Sequence, residues 1–136
     1  MVEFGDYQCT FCNKFFHETE ESIVENYVKT GKVKMLFKDF VVVGEDSINA
    51  ANAAHCANDQ KMFWQYHSTL YNNWDGEGTG WASSEQLHQF ASTLGLDMDK
   101  FSECMSKSKW KELVDSSHAD GRTLGVDATP TFFIID

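Results

Sequence analysis

The sequence predicts an α/β domain in which a small sheet is interrupted by a long helical insertion. A strand, a helix and a second strand follow one another near the N-terminal end, and helical spacing then dominates the middle of the chain. A last strand, "TFFIID", follows Pro130, the only proline. We therefore expect the α/β domain to occupy residues 1–46 and 122–136 and the insertion to occupy residues 47–121.

Length and composition limit the class of protein. A chain of 136 residues is long enough to bury a core, and eleven Phe and four Trp argue against disorder. The net charge of −10 argues against a nucleic-acid partner, because few basic groups are available to neutralise phosphates. No apolar run approaches the roughly 18 residues that a membrane-spanning helix needs.

The first strand and helix are predicted from local patterns. The apolar run Val2 to Phe4 is followed by Gly5-Asp6, which indicates a buried strand and a turn. Apolar residues then recur at helical spacing from Cys12 to Tyr27, and Gly31 is a plausible end of that helix. The second strand is predicted because Val33, Met35 and Phe37 alternate with lysines at positions 32, 34 and 38. The pattern continues toward Phe40 and Val43.

Helix signals mark the insertion. The alanine-rich stretch "INAANAAHCA" favours a helix that neighbours can approach closely. Ser83 with Gln86 predicts a capping box, and Asp97 predicts the cap of a short helix. Gly125 is expected to end the last helix.

Cys9 and Cys12 form a Cys-x-x-Cys motif between the first strand and its helix. This position places the first thiol at the helix N-terminus, where free N–H groups and the helix dipole stabilise a thiolate. Cys12, one turn further along, can attack a mixed disulfide formed on Cys9. The arrangement favours thiol–disulfide exchange.

Two other uses of this cysteine pair stay open. The pair can be half of a zinc or iron–sulfur site, but such a site needs a second pair of ligands. His55 and Cys56 are adjacent and point about 100° apart on a helix, and Cys104 has no ligand-like neighbour at a suitable spacing. The pair can also be a purely structural bridge. We expect no metal and no cofactor.

Two further residues refine the predicted site. Glu3 lies in the apolar strand, so a buried carboxyl with a raised pKa is expected to take the proton of Cys12; the alternative is an outward-facing, solvated side chain. Pro130 precedes a buried strand in "ATPTFFI", which fits a cis peptide bond with Thr129. Phe11, between the cysteines, is expected to be exposed and available to a substrate.

The segments "VEFGDYQCTFC", "KMLFKDF" and "TPTFFI", together with the helical insertion, resemble the DsbA-like thiol–disulfide oxidoreductases, a branch of the thioredoxin fold. The resemblance covers nearly the whole chain and implies a thioredoxin-like fold with an inserted helical subdomain. It implies that Cys9 is the nucleophile, Cys12 the buried resolving cysteine and Glu3 the buried acid. Pro130 then faces the disulfide as a cis-proline, and the backbone of Thr129 pairs with a substrate chain.

The resemblance also carries expectations about pairing and chain ends. Some relatives bridge cysteines at the positions of Cys56 and Cys104, so a structural disulfide is expected there. Relatives have a strand before Val2 and a strand and helix after Asp136. We therefore expect a chain trimmed at both ends, or a fold that is completed in another way.

Two functions of different class follow. The first is an extracytoplasmic enzyme, periplasmic or secreted, that forms or exchanges disulfides in cysteine-containing protein substrates through Cys9 and Cys12. An unidentified redox partner would recycle its active-site disulfide. The second is a non-catalytic thioredoxin-like module that binds extended peptides near Thr129 and whose cysteines are inert.

Overall fold

The computed structural model describes residues 1–136 and contains a three-stranded sheet. Strand β1 (Val2–Gly5) lies in the centre, β2 (Leu36–Asp39) pairs with it in parallel and β3 (Thr131–Phe133) pairs with it in antiparallel orientation. The parallel pair requires a crossover connection, which the first helix provides. The predicted strand, helix and strand are therefore present.

The two outer strands are shorter than the sequence pattern predicts. Alternation begins at Lys32, but β2 begins at Leu36, where pairing with Val2 starts. Strand β3 ends at Phe133, which also pairs with Val2, and the following Ile134 and Ile135 are exposed. A strand in a sheet ends where the strand that it pairs with ends. Alternation along the chain does not reveal the length of that neighbouring strand.

The first helix spans residues 10–28 without a break. Its regular segments are α1 (Thr10–Phe15) and α2 (Glu21–Ile23), and wider π-type turns occupy Phe16–Glu20 and Val24–Val28. Gly31, at φ +76°, follows its end as predicted.

The insertion consists of five helices: α3 (Glu45–Asn58), α4 (Phe63–Asn72), α5 (Ser84–Thr93), α6 (Met98–Ser106) and α7 (Lys111–Thr123). Ser83 caps α5 by accepting a hydrogen bond from the Gln86 N–H. Asp97 caps α6 by accepting from the N–H groups of Asp99 and Lys100. These two helices thus begin where the cap residues predict.

The main core lies between the insertion and the first helix. The small side chains of α3 are buried in it, which lets the neighbouring helices approach closely: Ala50, Ala53, Ala54 and Ala57. A smaller cluster of Phe4, Phe40 and Val126 lies on the other side of the sheet, where α7 packs at Gly121. A Cβ atom at Gly121 would lie 2.7 Å from Cδ2 of Phe40, so only glycine fits this contact. No helix combines the length and the apolar character that a membrane span requires.

Candidate active site

Cys9 lies at the junction between β1 and the first helix. It adopts extended backbone angles as the residue that precedes α1, and its N–H donates to the carbonyl of Asp6 at 3.0 Å. The Cys9 residue is 7% exposed. Cys9 and Cys12 are both free thiols, one at the start of the helix and one in its first turn.

The Asp6 carboxylate holds the junction in place through four hydrogen bonds. One carboxylate oxygen accepts hydrogen bonds from the Gln8 N–H at 2.8 Å and the Ser47 hydroxyl at 2.6 Å. The other accepts from the N–H groups of Val42 and Val43 at 2.8 and 2.9 Å. The sequence predicts Asp6 only as a turn residue, because an Asp directly after a buried strand is a turn-forming signal. Its role in binding the 42–43 segment and Ser47 was not predicted.

The two thiols differ strongly in acidity. A hydrogen bond from the Cys12 thiol, together with the Thr129 side chain and the N–H groups of Cys12 and Phe11, lowers the pKa of Cys9 to about 6, although burial opposes this. The Cys12 side chain is 0% exposed, and its hydrogen bond to Cys9 and its burial raise its pKa well above the ordinary thiol range. The pair therefore consists of one thiolate-forming and one neutral sulfur.

The segment before β3 brings distant residues to this pair. The Thr129–Pro130 peptide bond is cis, as the sequence predicts, and the Thr129 carbonyl lies 3.5 Å from Cys9 Sγ. The ring of Phe132 packs on Phe15 of the first helix, with centroids 4.5 Å apart. The fold thus places Thr129 beside a sulfur that is 120 residues away in sequence.

Phe11 is exposed and Glu3 is buried, as the sequence predicts. Phe11 is 66% exposed, so its ring is accessible from solvent. Glu3 is 1% exposed, and burial, then the nearby charges of Glu20 and Cys9, raises its pKa to about 8. Its Oε2 atom has no hydrogen-bond partner, and no hydrogen bond joins it to Cys12. The proton-accepting role of Glu3 stays a prediction.

A buried polar network beside Glu3 was missed by sequence reasoning. The Tyr7 hydroxyl lies 2.9 Å from Nδ1 of His67, and Nε2 of His67 lies 3.3 Å from Glu20 Oε1. Neither His67 nor Glu20 is among the site residues predicted from the sequence. Glu20 lies two turns beyond Cys12 on the same face of the first helix, but nothing in the sequence connects it to His67 on α4.

The other two cysteines form a disulfide within the insertion. Cys56 on α3 and Cys104 on α6 are bonded, with Cα atoms 5.8 Å apart, as the resemblance implies. No group of three or more His, Cys, Asp or Glu side chains is arranged to hold a metal ion.

The fold and the cysteine pair define a thioredoxin-like protein with a helical insertion and a cis-proline beside a Cys-x-x-Cys motif. A sequence model of the family described as thioredoxin matches residues 1–136. The chain belongs to this family, in its DsbA-like branch.

Similarity to known proteins agrees with this assignment. The chain is 27% identical to the disulfide bond formation protein D of Bacillus subtilis, over 100% of its own length and 63% of that protein. It therefore spans less than two thirds of the curated relatives it matches. The crystal structure of oxidised BdbD from Bacillus subtilis superimposes with a TM-score of 0.86 at 25% identity, over 95% of this chain and 71% of that one. Wolbachia pipientis α-DsbA1 shares the fold, with a TM-score of 0.83 at 24% identity, over 95% of this chain and 65% of that one.

Proposed function

We propose that this chain is the redox-active part of a thiol–disulfide oxidoreductase that acts on cysteines of other proteins. The observation that carries the proposal is the difference in acidity between Cys9 and Cys12. A thiol with a pKa of about 6 is mostly thiolate at neutral pH, and a thiolate is both the attacking and the better leaving group in disulfide exchange.

The reaction begins with the Cys9–Cys12 disulfide. A substrate thiolate attacks Cys9 Sγ, the bond to Cys12 breaks, and Cys12 leaves with the electron pair. Glu3, neutral below its pKa of about 8, supplies the proton that Cys12 takes up. The buried Cys12 thus returns to its neutral form.

A second substrate thiolate then attacks the substrate sulfur of the mixed disulfide. Cys9 leaves as a thiolate, and the substrate forms a disulfide. The substrate has lost two electrons and the cysteine pair has gained them. A redox partner carrying a more oxidising disulfide takes these electrons and restores the Cys9–Cys12 bond; the reverse sequence reduces a substrate.

Thr129 and Phe11 are the proposed substrate contacts. The Thr129 backbone lies against Cys9, so an extended substrate chain that pairs with it would place its own sulfur beside the reacting atom. The exposed Phe11 ring offers an apolar contact next to the same sulfur. Pro130 follows Thr129 in cis linkage in the same segment.

The proposed setting is extracytoplasmic. The Cys56–Cys104 bridge supports this location, because structural disulfides persist in oxidising compartments and are rare in the cytoplasm. The similarity to disulfide bond formation proteins supports it as well.

Two activity assays test the proposal: reduction of insulin, and refolding of reduced ribonuclease in a glutathione buffer. We expect activity in at least one of them, none with Cys9→Ser, and trapped mixed disulfides with Cys12→Ser. Inactivity in both assays, with Cys9 alkylation titrating near 8.5, would contradict the enzyme and favour the non-catalytic peptide-binding module.

A further inference from the structure

Residues 73–80, the first part of the loop between α4 and α5, lie against the junction that carries Cys9. The Trp74 indole N–H donates to the carbonyl of Gln8 at 2.9 Å, and the Gly78 N–H donates to the Gln8 side-chain oxygen at 3.1 Å. The Gln8 amide in turn donates to the Ser47 hydroxyl at 2.8 Å. The loop is therefore anchored on both sides of Glu77.

Glu77 contacts the residue that follows Cys9. Its Oε2 atom accepts a hydrogen bond from the Thr10 N–H at 3.0 Å and another from the Thr10 hydroxyl at 2.6 Å. Both bonds favour the charged carboxylate and lower the pKa of Glu77. Glu77 is thus an anion at neutral pH, held at the start of the first helix.

The N–H groups of the first helical turn are divided between two acidic groups. The Thr10 N–H donates to Glu77 at 3.0 Å, and the N–H groups of Phe11 and Cys12 lower the pKa of Cys9. A carboxylate and a thiolate therefore share one helix N-terminus. Like charges that lie near one another disfavour each other's ionisation, and the Glu77 carboxylate is bonded to the residue directly after Cys9.

We propose that Glu77 is a positioning residue for redox poise: its charge opposes the Cys9 thiolate and makes the cysteine pair less oxidising than it would be without that charge. The inference rests on the proposed exchange chemistry of Cys9. Other titratable groups that act on Cys9 are Cys12 on the same helix and Glu3 on β1. Glu77 differs from both because it comes from the insertion, so the inserted subdomain tunes the site.

Replacing Glu77 with Gln separates charge from position, because Gln keeps an oxygen that can accept from both Thr10 donors. We expect the pKa of Cys9 in Glu77→Gln to fall by roughly half a unit to one unit at low ionic strength. The equilibrium with glutathione should move toward the reduced pair by the corresponding factor, about threefold to tenfold. Both differences should shrink near 1 M salt, where the Debye length is about 3 Å.

Asp75→Asn is the matched control. Asp75 is an exposed acid in the same loop whose carboxylate makes no hydrogen bond, so this variant removes the same charge without touching the helix. The measurements are the pH dependence of Cys9 alkylation in the reduced protein and the glutathione equilibrium. We expect Asp75→Asn to match the wild type in both.

Three results would overturn the inference: a Cys9 pKa in Glu77→Gln equal to the wild-type value, a higher one, or an equal shift in Asp75→Asn. A wild-type Cys9 pKa near 8.5 would overturn the proposed function as well. If the wild-type pKa is low and Glu77→Gln leaves it unchanged, only the role of Glu77 fails.

Discussion

His67 on α4 lies 3.3 Å from Glu20 on the first helix, measured from the ring Nε2 to the carboxylate Oε1. The His67 ring is fully buried and also meets the Tyr7 hydroxyl through Nδ1 at 2.9 Å. A ring with its proton on Nε2 donates to Glu20 and accepts from Tyr7, so one tautomer satisfies both contacts. This histidine joins the insertion to the helix that carries the cysteines.

We expect His67→Leu to lower the free energy of unfolding by about 2–4 kcal/mol. The variant leaves the buried Tyr7 hydroxyl and the Glu20 carboxylate without partners. His88→Gln is the control, since the hydrogen bond of His88 goes from Nδ1 to the backbone of its own helix and its ring meets Phe101 edge to face at 5.3 Å without joining a buried polar network; its change should stay under about 1 kcal/mol. Urea unfolding measures both. A loss for His67→Leu as small as that of the control would contradict the role of the network.

The Glu3 carboxyl gives a kinetic prediction. We expect Glu3→Gln to slow the step in which Cys12 resolves a mixed disulfide, most strongly as the pH approaches 8, because the wild-type carboxyl ionises there and can take the Cys12 proton, which an amide cannot accept. Alkylation of Cys9 should change little. Stopped-flow exchange with a model disulfide between pH 5 and 8 measures the resolving step. Wild-type kinetics in the variant would remove Glu3 from the mechanism.

The raised pKa of Glu3 also predicts how stability depends on pH. Its pKa is raised from 4.5 to about 8, so between these values the unfolded chain releases a proton that the folded protein keeps. Stability from this group is complete below pH about 4.5 and is lost as the pH rises through about 8, by about 5 kcal/mol. The difference in unfolding free energy between wild type and Glu3→Gln, both reduced, should follow this curve. A difference that is constant with pH would contradict the raised pKa.

The elements of the fold were predictable because their signals are local. Alternation and helical spacing located the strands and helices, and Ser83 and Asp97 marked helix starts. The Cys-x-x-Cys motif and Pro130 indicated the candidate site for a similar reason, since each is a short pattern. The resemblance to a family added the pairing of Cys56 with Cys104.

The polar contacts around the site were not predictable. Glu20 meets His67 from 47 residues away, and Thr10 meets Glu77 from 67 residues away. Such pairs leave no periodic trace, because one carboxylate in a helix or a glycine-rich loop resembles any solvated acid. Asp6 was underestimated for the same reason, because two of its four donors come from residues 42 and 43.

Removal of the structural bridge should destabilise the fold without altering the reactive thiol. Cys56 and Cys104 are 48 residues apart, and loss of a bridge over that loop corresponds to about 4 kcal/mol on the chain-entropy model. We expect Cys56→Ala/Cys104→Ala to lose this amount in urea unfolding and to keep the wild-type pH profile of Cys9 alkylation. A shifted profile would show that the bridge acts on the site.

The low pKa of Cys9 predicts a contribution to stability that changes with pH in the opposite direction to that of Glu3. The thiol has a pKa of about 6 in the folded protein and 9.0 ordinarily, so between these values the folded protein has released a proton that the unfolded chain still holds. This contribution is complete above pH about 9 and is lost as the pH falls through about 6, by roughly 4 kcal/mol.

The difference between reduced wild type and reduced Cys9→Ser reports this term together with the effect that the Cys9 charge has on Glu3 and Cys12. The wild type should gain stability relative to the variant as the pH rises from 6 to 9, measured by urea unfolding under one reductant concentration. Since only the reduced state carries the thiolate, this gain favours the dithiol over the disulfide and makes the pair more oxidising. A difference that does not grow over this range would mean that the folded protein does not stabilise the Cys9 thiolate.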